Sequence, residues 1–93
     1  MLKSTRSERF LNVVGPRVRV LRYKRSWSQA AVATKCQLAG WDVSRDTIAN
    51  IELRRRWVAD FEVVLLARVL GIASSDLLPR RLNADEILGG RRK

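Results

Sequence analysis

Glycine interrupts this chain at Gly15-Pro16, Gly40, Gly71 and Gly89-Gly90, and between those breaks the apolar residues recur at helical spacing. Side chains three and four apart share one face of a helix, whereas a half-buried strand requires strict alternation. The interruptions therefore predict an all-α fold made of short helices. A length of 93 residues suits one compact domain with one core. Hydrophobic residues make up 46% of the chain and are mostly aliphatic, so that core needs neither metal nor disulfide.

Each helix can be placed from its ends. The first is expected to start near Pro16, whose missing amide is harmless in a first turn, and to run to Lys24 or Arg25. Val18, Leu21 and Arg22 fall on its inner face, although Arg17, Arg19 and Lys24 can be solvated. Ser28 is a good N-cap for a second helix over Gln29–Gln37, with Val32, Ala33 and Cys36 as its apolar stripe. Ser44 caps a third over Arg45–Leu53, where Asp46 suits the positive end of the helix dipole. Ile48, Ile51 and Glu52 then point inward, and Arg45, Asp46, Thr47 and Asn50 point outward.

A fourth helix from about Asp60 to Leu70 ends at Gly71, a C′ glycine, and a short fifth over Ser74–Leu78 brings Ile72 and Leu77 to the core. Val63, Leu66, Ala67 and Leu70 suffice for the inner face of the fourth helix. Phe61, Leu65 and Val69 are left as candidate dimer contacts. The domain proper is read as residues 15–79. Residues 1–14 form an extension in which Thr5-x-x-Glu8 resembles a capping box, and residues 80–93 form a basic tail in which Asn83-x-x-Glu86 resembles another. Either end can hold a short extra helix.

The charge balance narrows the function. There are 19 Lys and Arg against 9 Asp and Glu, and with no His the formal charge of +10 does not change across physiological pH. Such a surplus attracts polyanions, and nucleic acid is a better partner than a merely solvated surface explains. A membrane is not: the longest apolar run, Val63–Ala67, stops at Arg68, and no signal-peptide core precedes it. A cytoplasmic location is expected. One cysteine and no histidine exclude a Cys–His pair and any multi-cysteine metal site, so neither metal nor cofactor is expected. Ser28 and Ser44 are explained as caps, and the chain is not expected to be an enzyme.

From Val18 to Leu78, about two thirds of the chain, the sequence resembles the Xre/Cro-type, or lambda-repressor-like, helix-turn-helix family. The resemblance is carried by Leu21-Arg22, Trp27-Ser28-Gln29, Val32-Ala33, Ser44-Arg45-x-Thr47-Ile48-x-x-Ile51-Glu52 and Leu66-Ala67-x-x-Leu70-Gly71. It implies a compact bundle of five helices in which the second and third form the motif and Ser44–Leu53 enters the major groove. It also implies that Gln29, with Ser28 at the same helix start, contacts phosphate or a base, and that Arg45, Asp46 and Asn50 face base edges. Ser44 and Thr47 would bond phosphate or line the groove. Arg22 and Glu52 occupy positions where the family often carries a partly buried structural ion pair.

Side-chain chemistry supports these roles. Arg45 can donate two bonds to guanine, Asn50 can pair bidentately with adenine, and Asp46 can accept from cytosine, orient Arg45, or serve only the helix dipole. The run Arg54-Arg55-Arg56 lies at the end of the reading helix and either meets phosphate or stays solvated. Two features depart from the family. The link Gln37–Val43 is longer than usual, with Trp41 either packed on the body or stacked on the nucleic acid. Arg54 stands where glycine is common, so it is either left-handed or part of a differently shaped turn.

The reading that follows is a sequence-specific transcriptional regulator, a repressor acting as a homodimer on a two-fold operator in double-stranded DNA. The alternative is the antitoxin of a toxin–antitoxin pair, holding a protein partner through Phe61, Leu65 or the chain ends. RNA binding ranks lower, since the few aromatic residues do not share a face.

Overall fold

The computed structural model describes residues 10–82, and the capping-box segments expected near Thr5 and Asn83 lie outside them. Four α-helices follow in order: α1 (Gly15–Lys24), α2 (Gln29–Leu38), α3 (Arg45–Glu52) and α4 (Asp60–Leu70). No strand occurs among the described residues. The fifth helix expected at Ser74–Leu78 is instead a single 3-10 turn, Ser74–Leu77, so the bundle has four α-helices there rather than five. Four residues ahead of Pro79 are too few to establish the α-helical hydrogen-bond ladder.

The helix starts follow from their caps. Ser28 Oγ accepts from Ala31 N at 2.9 Å. Ser44 Oγ accepts from Thr47 N at 3.2 Å while Ser44 N donates to Thr47 Oγ1 at 3.4 Å, a reciprocal box in which threonine replaces the usual glutamate. At the start of α4 the Glu62 carboxylate accepts from Ala59 N at 3.0 Å. Gly71 ends α4 with φ 74°, a left-handed conformation that costs glycine no steric strain.

Val18 and Leu21 of α1, Val32, Ala33 and Cys36 of α2, Ile48 and Ile51 of α3, Leu66, Ala67 and Leu70 of α4, and Leu77 form one core with Val14 and Val43. α2 packs mainly on α3, and α1 packs on both α3 and α4. Burial pushes the Cys36 thiol up to about 11, consistent with a small core residue. Trp41 is half-buried against this core, as is Val69, which removes Val69 from the set of free apolar residues on α4.

Residues 10–14 are not a detached extension. They contain no helix, and Val14 and Asn12 are buried. The Asn12 amide donates to Ile51 O at 3.1 Å and Arg56 O at 3.0 Å, and its carbonyl accepts from Gly15 N at 2.8 Å. One side chain thus ties the start of α1 to the end of α3. Gly15 permits this closeness, because a Cβ there would collide with the Ile51 carbonyl oxygen. Gly15→Ala is expected to cost about 1–3 kcal/mol, by analogy with other overpacked sites, measured as a lower urea midpoint. An unchanged midpoint would show that the segment moves aside freely.

Candidate nucleic-acid interface

α3 presents two faces because its buried residues are Ile48, Ile51 and Glu52. Its other side exposes Arg45, Asp46 and Asn50, with Thr47 half-buried at their edge. Arg45 Nη1 donates to Asp46 Oδ1 at 2.9 Å, with the two side chains 60% and 83% exposed. Solvent screening makes this exposed pair a negligible source of stability. The Asn50 amide makes no hydrogen bond among the described residues and projects outward with its full donor and acceptor set. Ser44 and Thr47 spend their hydroxyls largely on each other and on the cap, at 3.1 Å between oxygens. Their first task is holding the helix start, ahead of any phosphate contact.

The inner edge of α3 is held by the Arg22–Glu52 pair. Arg22 Nε donates to Glu52 Oε2 at 2.6 Å and Nη2 to Oε1 at 2.9 Å. The third donor, Nη1, reaches Trp27 O at 3.0 Å. Gln29 Nε2 donates to Glu52 Oε1 at 3.0 Å, so the amide expected to contact phosphate or a base is partly spent on the ion pair. This fork-to-fork geometry satisfies both buried charges, and the Glu52 hydrogen bonds hold the Arg22 cation above its ordinary range. The network connects α1, the start of α2 and α3, and so fixes α3 against α2.

The basic run divides. Arg54 has φ 62°, which settles the choice left open by the missing glycine in favour of a left-handed residue. Its Nε donates to Asn12 O at 3.0 Å and its guanidinium lies 4.0 Å from the Phe10 ring centroid. Arg56 donates to both Glu62 oxygens, at 2.9 and 3.3 Å, and to Trp57 O at 2.8 Å. The Arg56 hydrogen bonds also hold the Glu62 carboxyl below the usual carboxylate range. Of the three arginines, Arg55 has the exposed side chain, while Arg54 and Arg56 are half-buried in these contacts. A local run of identical residues does not reveal which guanidinium finds a carboxylate on the next helix.

Sequence reasoning missed Tyr23. Between α1, the start of α2 and α3 lies a cleft of about 570 Å³ bordered by Arg19, Tyr23, Ser28 and Arg45. Arg19 and Arg22 lie 5.5 and 4.7 Å from the Tyr23 ring centroid. Hydrogen bonding to Arg19, then to Arg22, holds the exposed Tyr23 hydroxyl below the ordinary phenol range. The spacing of Arg19 and Tyr23, four apart on one helix, was the signal available for this pair.

α3 thus carries an exposed polar face on a small helical bundle whose chain has a formal charge of +10. In fold the chain is similar to the crystal structure of a hypothetical transcription factor, NHTF, from Neisseria. The TM-score is 0.63 and the identity 25%, over 85% of this chain and 84% of that one. No protein-family model and no curated protein matches the sequence. No helix among the described residues is long and apolar enough to cross a membrane.

Proposed function

We propose that this protein is a sequence-specific DNA-binding regulator of the Xre/Cro helix-turn-helix type, with α2 and α3 as its motif and α3 in the major groove. The observation that carries the reading is the division of α3, with Ile48, Ile51 and Glu52 anchored inside and Arg45, Asp46 and Asn50 presented outside. Arg45, steadied by Asp46, suits guanine O6 and N7, and the uncommitted Asn50 amide suits adenine N6 and N7. Arg55 and the formal charge of +10 supply sequence-independent attraction to phosphate. The likeness to the Neisseria transcription factor supports the same reading. Repression through a two-fold operator, with the protein as a homodimer in the cytoplasm, completes the proposal. Nothing in it calls for catalysis, since Ser28 and Ser44 both serve as caps.

Selection of bound duplexes from a random library tests this directly. The unmodified chain should enrich a defined motif, and Arg45→Ala and Asn50→Ala should each relax one position of it, at about 1–3 kcal/mol of lost discrimination per contact. A uniform loss of affinity with the motif unchanged would reduce both residues to backbone contacts. Failure to enrich any motif would remove sequence-specific DNA binding altogether.

A further inference from the structure

The outer face of α4 is self-complementary in a way that specifies its occupant. Phe61, Val64, Leu65 and Arg68 recur at three- and four-residue spacing and so line one stripe of the helix. Phe61 is 64% and Val64 46% exposed, Leu65 is half-buried, and Arg68 is exposed. The stripe carries an acid at its start, the exposed Asp60, and a base at its end, Arg68. The other acid of the first turn, Glu62, is turned to Arg56 and does not join this stripe.

We propose that this face binds a second copy of the chain, with the two α4 helices antiparallel and the two-fold axis crossing between Val64 and Leu65. In that register Phe61 lies opposite the partner's Arg68, and Val64 lies opposite the partner's Leu65. The guanidinium then meets both an aromatic ring and, one residue along, the Asp60 carboxylate. A parallel pairing would instead set Asp60 against Asp60 and Arg68 against Arg68, and would align the helix dipoles unfavourably. An isologous interface requires a patch that matches itself after half a turn, and this sequence of acid, apolar stripe and base does so. Two copies of a chain of charge +10 repel at long range, so the acid–base complement is needed beside the apolar contact. The inference deepens the homodimer of the proposed function and rests on that reading for its biological role.

The test uses the full chain in sedimentation equilibrium at fixed ionic strength, with circular dichroism to check folding. The unmodified protein should form a dimer, and Asp60→Arg and Arg68→Asp should each raise its dissociation constant at least tenfold. Mixed one to one, the two variants should recover near-native dimerisation, because every Arg on one copy then faces an Asp on the other. A monomeric parent, or a mixture no tighter than its separate components, overturns the proposal. Binding to a duplex carrying one half-site should persist in both variants. If the unmodified chain binds no duplex while the mixture still pairs, the DNA reading fails and the α4 pairing stands.

Discussion

Arg22→Ala is expected to lower folding stability by about 3–5 kcal/mol, the range for breaking a buried ion pair by removing one partner. The side chains of Arg22 and Glu52 are 9% and 3% exposed. Without the guanidinium, Glu52 retains only the Gln29 amide, and Trp27 O loses its donor. At this chain length each kcal/mol moves the melting temperature by roughly 4–8 °C, so calorimetry would resolve the effect easily. The proposed DNA binding should weaken too, because Glu52 is the last residue of α3. The double replacement Arg22→Met with Glu52→Leu should regain much of the stability, since no uncompensated charge remains. An unchanged melting temperature for Arg22→Ala would refute the structural role of the pair.

Asn12→Leu should be the second most damaging change described here, at about 3 kcal/mol. Its side chain serves three backbone groups, Gly15 N–H and the carbonyls of Ile51 and Arg56, and a buried group left unpartnered costs about 1–3 kcal/mol. The expected readout is a lower urea midpoint together with faster amide exchange at Gly15. The carbonyls of Ile51 and Arg56 flank the turn after α3, so freeing them loosens the end of that helix. A midpoint unchanged within error would mean that water replaces all three bonds and that residues 10–14 merely lie on the domain.

The difference between Arg22 and Asn12 shows what was legible in the sequence. Arg22 lay on the apolar face of a periodic helix, and Glu52 lay on the inner side of another, so their meeting followed from pattern and family resemblance. Asn12 belongs to a short irregular segment with no period, and its partners lie 39 and 44 residues away. The same distinction separates the arginines of the 54–56 run. Composition marked all three as phosphate-binding candidates, but one packs on Phe10 and Asn12 and another pairs with Glu62 on α4. Val69 packs partly on the core for a related reason: periodicity gives the relative angle of residues on a helix, while the exact width of the buried stripe depends on what packs against it.

The sequence by itself determined the all-α class, the caps at Ser28 and Ser44, and the two-faced character of α3. Each of these depends on interactions within about one or two turns of chain, where spacing and residue type suffice. Tertiary structure alone decided that Arg54 is left-handed, that Arg55 is the exposed member of its run, that Tyr23 borders a cleft beside α3, and that Asn12 and Val14 are buried in the domain. Those outcomes depend on hydrogen bonds and packing between segments far apart in the chain, whose approach is set by the closed bundle as a whole.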